Sequence, residues 1–201
     1  MGDIVESRRA RDRQSLHNTI VGTLELVNRE HPVLDPAVVT AGDEFQGVYR
    51  TLGDALVASF HIRAGLRPHD VRFGLGRGAI QVLDAQRGIH DGPGYWAARE
   101  AIEAAESLAV RPALRTTRTI YRSSDEPSLG SAVNAALLGL DQIVGSLSVV
   151  SGRLLAGRLA GLTQREIADR EGITSSAVSQ RVRRDGIGVA METMRLLGEL
   201  A

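Results

Sequence analysis

The sequence predicts an α+β fold: a ferredoxin-like or palm-type sandwich over residues 1–123, followed by an all-helical segment over residues 124–201. Three observations carry this prediction. Apolar spacing alternates between strand and helix periods through the first part, in the order strand–helix–strand–strand–helix–strand–helix. A hairpin pattern at 37–49 has Gly42-Asp43-Glu44 at its tip. Beyond the polar turn cluster Ser123-Ser124-Asp125-Glu126-Pro127-Ser128, only helical periodicity remains.

Each element has its own signal. Asp3-Ile4-Val5 opens the first strand. Residues 7–30 begin polar and Arg-rich, then place Leu16, Ile20, Leu24 and Val27 at helical spacing. Val38-Val39 lead into the Gly-Asp-Glu turn, and Phe45 and Val48 resume the apolar pattern. Leu52 to Arg63 reads as a second amphipathic helix ending near Gly65. Residues 71–78 alternate as a strand whose glycines mark close backbone approach. A turn-rich loop over 88–94 precedes a third helix from Tyr95 to Ala109, with Tyr95 and Trp96 as core and rim residues at its start. Ala132–Leu147, Val149–Ala160 and three shorter helices complete the chain.

Composition narrows the chemistry. At 201 residues with 43% hydrophobic and 24% charged residues, formal net charge +0 and pI near 7.0, the chain has the make-up of an ordinary soluble globular protein. It has no cysteine, which excludes disulfides, thiolate zinc sites and a cysteine nucleophile, and a cytoplasmic location is expected. All 24 basic residues are arginine, so Schiff-base and P-loop lysine chemistry are both excluded. The five histidines show no metal-ligand spacing. No apolar run reaches the ~20 residues of a bilayer span, and the stretch Met1-Gly2-Asp3-Ile4-Val5 lacks the charged and apolar regions expected of a signal peptide.

Two regions carry candidate sites. Asp43 and Glu44 are adjacent, so a strand sends them to opposite faces, whereas a tight turn brings them together. If Asp3 lies on a strand beside the hairpin, Asp3 and Asp43 converge on one hard cation, Mg²⁺ or Mn²⁺. The first strand has only Met1 and Gly2 ahead of Asp3, short against the usual ~5–6 residues. In the second region Thr163 and Glu166 form a capping box, and Ile167-Ala168 read as a buried pair. Gly172 supplies a turn, and Thr174 or Ser175 caps a second helix with Ala177, Val178 and Val182 inward. This is helix-turn-helix layout. Its phasing exposes Ser175, Ser176, Ser179 and Gln180 for base edges, and Arg181, Arg183 and Arg184 for phosphates or a guanine. Thr163 and Gln164 join the DNA-facing set. Six arginines between 158 and 184 face Glu166, Asp169 and Glu171, a local excess of three positive charges. The apolar residues of the last helix, from Ile187 to Leu200, pack on this module or form a dimer seam.

The motifs also carry resemblances. Asp3-Ile4-Val5, Gly42-Asp43, Asp54-Ala55, Arg72 to Gly78 and Ala97-Ala98-Arg99 stand in the order seen in class III nucleotide cyclases. Ala41-Gly42-Asp43-Glu44-Phe45 resembles the diguanylate cyclase signature with its first glycine replaced. The region 162–184 resembles region 4 of sigma factors. The whole chain most resembles the SatD family, linked by name to bacterial acid tolerance. The cyclase resemblance implies metal ligands Asp3 and Asp43, nucleotide contacts from Gly42, Asp43, Arg77 and Arg99, and, in an active enzyme, catalytic roles for Arg99 and Glu44. The purine-selecting lysine would fall near Val39 and is absent. The transition-state asparagine would fall at Tyr95 or Trp96. The resulting expectation is a bacterial DNA-binding regulator, homodimeric, with a degenerate nucleotide- or metal-sensing palm domain. The alternative is an active nucleotide cyclase or nucleotidyltransferase using Asp3, Asp43 and Arg99.

Overall fold

The computed structural model describes residues 1–7, 12–84 and 89–201, excepting the side chains of Val82, Asp84 and Ile89. It is a mixed α+β structure. The strands are β1 (Gly2–Ile4), β2 (Asp35–Ala41), β3 (Glu44–Val48), β4 (Val71–Arg77), β5 (Gln81–Asp84), β6 (Ile89–Asp91) and β7 (Thr119–Ser123). The helices are α1 (Arg13–Glu30), α2 (Leu52–Gly65), α3 (Pro93–Ala109), α4 (Pro127–Gly145), α5 (Val149–Leu159), α6 (Gln164–Glu171), α7 (Ser175–Arg184) and α8 (Ile187–Leu197). The first helix was expected from residue 7; residues 8–11 lie outside the described residues, and Asp12 caps α1 by accepting from the Ser15 amide.

The main sheet runs β2-β3-β1-β4-β7. β1 is antiparallel to both β3 and β4, and β7 joins β4 in parallel. β7 and the β5–β6 hairpin were not expected from the sequence. The loop read over 88–94 is in part strand, because Ile89–Asp91 pairs with β5. Two helices also start earlier than expected, at Pro93 and Pro127, each with proline in the first turn where its missing N–H costs nothing.

Strand alternation assigns the two faces. Ile4, Phe45, Val71 and Phe73 face α1 and α2 and form one core with Leu16, Ile20, Leu24 and Val27. On the opposite face α3 lies directly on β4. A Cβ on Gly74 would stand 2.1 Å from the Ala98 carbonyl oxygen, and one on Gly76 would stand 2.3 Å from the Ala98 nitrogen. The alternating glycines of Gly74-Leu75-Gly76 thus exist to let a helix backbone touch a strand backbone.

Side chains satisfy both outer edges of the sheet. Asn28 of α1 bonds both the N–H and the C=O of Ala37 on β2, at 2.9 and 2.9 Å. Asn134 of α4 does the same to Tyr121 on β7, at 2.8 and 2.9 Å. Seven residues on, Asp141 accepts from the amides of Arg118 and Thr119. At Ala37, Arg118, Thr119 and Tyr121 the edge backbone is thereby satisfied by side chains in place of a further strand.

The largest core crosses position 123. Leu52, Leu56 and Phe60 of α2, Leu75 of β4 and Tyr121 of β7 pack with Leu137, Leu154, Ile187 and Met194 from the helical segment. The chain's end returns to α2, where the Leu200 carbonyl accepts from the Gly53 amide at 2.9 Å.

Candidate functional site

The carboxylates picked out by sequence lie where β1 meets the hairpin. Gly42 adopts the left-handed conformation (φ 63°) that turns β2 into β3. The turn points Asp43 back at β1, and its Oδ2 accepts from the Ile4 amide at 3.1 Å. Asp3 pairs across the ladder with Arg72 of β4, so both side chains lie on the α3 face. The Arg72 Nε stands 3.5 Å from the Asp3 Oδ1, and its guanidinium also reaches Glu106 of α3 at 3.0 Å. Burial pushes the Asp3 carboxyl above its ordinary value; Arg72 opposes this, and Asp43, Glu106 and Glu44 add to it. Its Oδ1 is buried without a hydrogen-bond partner. Glu44 is held by Arg99 of α3 at 3.3 Å.

Thus Asp3, Asp43, Glu44 and Arg99 share one region, reached from four elements. Arg77 does not join them: it ends β4 and pairs with Glu126 at 2.6 Å. Among the described residues, no group of three or more His, Asp or Glu is arranged to hold a metal ion. Sequence reading missed Arg72, which opposes the upward shift that burial imposes on Asp3, and Glu106, which adds to it. Trp96 is exposed, with its Nε1 donating to Asp91, and the Tyr95 hydroxyl lies 3.3 Å from His90 Nδ1. Both tie the β6 end to α3.

A cavity of about 420 Å³ lies between β3 and β4, roofed by α2 on one side and the start of α3 on the other. Tyr49, Ser59, Leu75, Ala98 and Tyr121 are among its walls. The hydroxyls of Tyr49 and Tyr121 are buried and unpartnered, and burial pushes Tyr49 up to about 12. Sequence reading found neither tyrosine.

The second candidate region is the α6–α7 pair. Thr163 and Glu166 form the expected reciprocal capping box. Gly172 closes α6 in the left-handed conformation (φ 64°), and Thr174 caps α7 through the Ala177 amide. Ile167, Ala168 and Val178 are buried between the helices and α5. Thr163, Gln164, Ser175, Ser176, Gln180, Arg183 and Arg184 are exposed, and Ser179 and Arg181 are half-buried. Arg184 pairs with Asp185 at 2.7 Å, and Arg153 takes Glu171 at 2.6 Å. Arg165 and Arg183 make no ion pair with a described residue. α8 packs its Ile187, Ala190, Met194 and Leu197 face inward within the same chain, leaving Val189 and Leu196 exposed. Among the described residues, no helix is long and apolar enough to cross a membrane.

The family model for SatD matches residues 1–200. The chain belongs to the SatD family. No curated protein and no solved structure matches it. For a SatD family member, the functional reading therefore rests on the two regions above.

Proposed function

We propose that this SatD family chain is a DNA-binding regulator: a palm-type sensing domain (1–123) joined to a helix-turn-helix domain (124–201). The observation that carries the reading is the surface of α7. It is capped by Thr174, seated on Val178, and presents Ser175, Ser176, Gln180 and an ion-pair-free Arg183 together. Short polar side chains at a helix start suit base edges, and a free guanidinium suits phosphate or guanine. A helix of this polarity with one buried face is what a major groove accepts. The strand order β2-β3-β1-β4, with α1 and α2 on one face, supports the palm-type description. The shared core of α2, Tyr121 and α8 gives a sensing event a packed route to α7. The experiment is selection of duplexes from a random pool by the full chain. Recovery of a common, two-fold motif supports a dimeric regulator, and recovery of no motif above the starting pool counts against it.

A second reading concerns what the first domain senses. The Asp3 Oδ1, without a hydrogen bond and 3.5 Å from Arg72, with Asp43 and Glu44 near enough to raise its pKa, favours relief by a divalent cation, alone or with a nucleotide phosphate held near Arg99. The same carboxylates with Arg99 would serve an active cyclase or nucleotidyltransferase, for which turnover of an NTP with Mn²⁺, lost in Asp43→Ala, is the test.

A further inference from the structure

The last turn of α7 carries Arg181, Arg183 and Arg184, and among the described residues only Arg184 is paired with a carboxylate. Its Nε donates to the Asp185 Oδ1 at 2.7 Å, and its Nη2 reaches Oδ2 at 3.4 Å. Adjacent residues within a helix do not face each other. Asp185 can fold back on Arg184 because it caps the helix, just ahead of the left-handed Gly186 (φ 72°).

The carboxylate is also held from behind. Its Oδ2 accepts from the hydroxyl of Ser151, which is fully buried in the first turn of α5. Ser148 caps that turn by accepting from the Ser151 amide at 3.2 Å, and its own hydroxyl lies 3.0 Å from the Ser151 Oγ. The Asp185 side chain is thus 18% exposed where that of Arg184 is 71% exposed. The anion is seated in the protein and holds the cation at the surface. Arg184 first, and then Ser151, keep the Asp185 carboxyl below its ordinary value, so it is charged at neutral pH.

This placement runs against two preferences. A helix C-terminus favours cations, and a carboxylate there meets the negative end of the dipole. A surface that takes phosphate favours cations too, yet Asp185 is the sole acidic residue from Ser175 to Gly186. Joining α7 to α5 requires only an acceptor for Ser151, which an uncharged amide oxygen supplies equally. The charge itself acts on Arg184. It occupies the Nε edge of the guanidinium, one of the edges that forks onto phosphate oxygens.

We propose that Asp185 restrains DNA affinity by holding Arg184 off the phosphates, leaving recognition to Arg183 and the first turn of α7. The proposal rests on the DNA-binding reading of α7 and adds to it a built-in counter-charge that limits sequence-independent attraction. The test is fluorescence anisotropy of the full chain on a labelled duplex of random sequence, from about 50 to about 200 mM salt. Asp185→Asn keeps the acceptor for Ser151 and removes the charge. It is expected to raise the magnitude of the log K against log salt slope by about one, and to tighten binding on the order of tenfold at about 50 mM salt. The Arg184→Ala/Asp185→Asn double variant should return to the parent values, because the gain requires the released guanidinium. Binding by Asp185→Asn no tighter than that of the parent chain would overturn the proposal. So would a gain that survives in the double variant, which marks simple loss of a negative charge. A gain of the same size in Ser151→Ala would overturn it as well, since that variant keeps both charges. Duplex bound by none of these chains at low salt would remove the DNA-binding reading, and this proposal with it.

Discussion

Arg63 of α2 and Asp141 of α4 form a buried ion pair that joins the two halves of the chain, their side chains 11% and 2% exposed. Asp141 does more than balance one charge. Its second oxygen accepts from the Arg118 and Thr119 amides at 2.6 and 2.8 Å, where the chain enters β7. One carboxylate thus holds α2, α4 and the edge of the sheet.

Asp141→Ala leaves Arg63 without its counter-charge and two amides without an acceptor. The expected loss is about 3–5 kcal/mol in urea unfolding, the range for breaking one side of a buried pair. The Arg63→Ala/Asp141→Ala double variant should lose less than the two single losses summed. A loss under ~1 kcal/mol for Asp141→Ala would remove the pair from the account.

Asp3 sets a pH dependence of opposite sense to ordinary acid denaturation. Its folded pKa lies above the ordinary 3.8, chiefly through burial, so the folded chain holds this proton more tightly than the unfolded chain does. The contribution is fully present below the unfolded value and is lost as pH rises through the folded one. Asp3→Asn should therefore gain stability relative to the parent chain between about pH 4 and pH 7. A constant difference across that range would contradict the shift.

If a divalent cation relieves that buried charge, Mg²⁺ or Mn²⁺ should raise Tm of the parent chain. At a concentration of 100 times Kd the linkage is worth about 2.7 kcal/mol. Neither Asp3→Asn nor Asp43→Ala should respond. An equal rise in all three chains would place the cation elsewhere.

Thr174 holds the first turn of α7 through the Ala177 amide at 3.1 Å. Thr174→Ala is expected to cost about 1 kcal/mol in chemical denaturation. DNA affinity should fall as well, because the same turn presents Ser175 and Ser176. Thr174→Ser should keep both properties. An alanine variant with unchanged affinity would detach the cap from recognition.

Local signals made much of this structure legible. The spacing of Leu16, Ile20, Leu24 and Val27 marks α1, and all four are buried. The Thr163–Glu166 box and Gly172 mark the ends of α6, where short-range hydrogen bonds decide the outcome. Non-local pairing stayed hidden. β7 is a five-residue strand whose place depends on β4 and on Asn134 and Asp141 of α4, none of them near it in sequence. In the candidate site, Asp3, Asp43, Glu44 and Arg99 were found from motif order, but Arg72 and Glu106 were not. Their roles follow from the Asp3↔Arg72 register, which no local pattern encodes. Arg77 was grouped with Arg99 by the glycine-rich strand, yet strand alternation sends it to Glu126 instead.

The central claim is that α7 reads DNA, and salt-dependent anisotropy of the full chain on a labelled duplex tests it most directly. The account predicts that log K falls linearly with log salt, and that Arg183→Ala lowers the magnitude of the slope by about one. Arg153→Ala, which removes a partner of Glu171 away from α7, should leave the slope unchanged. No binding at low salt, or a slope indifferent to Arg183, would contradict it.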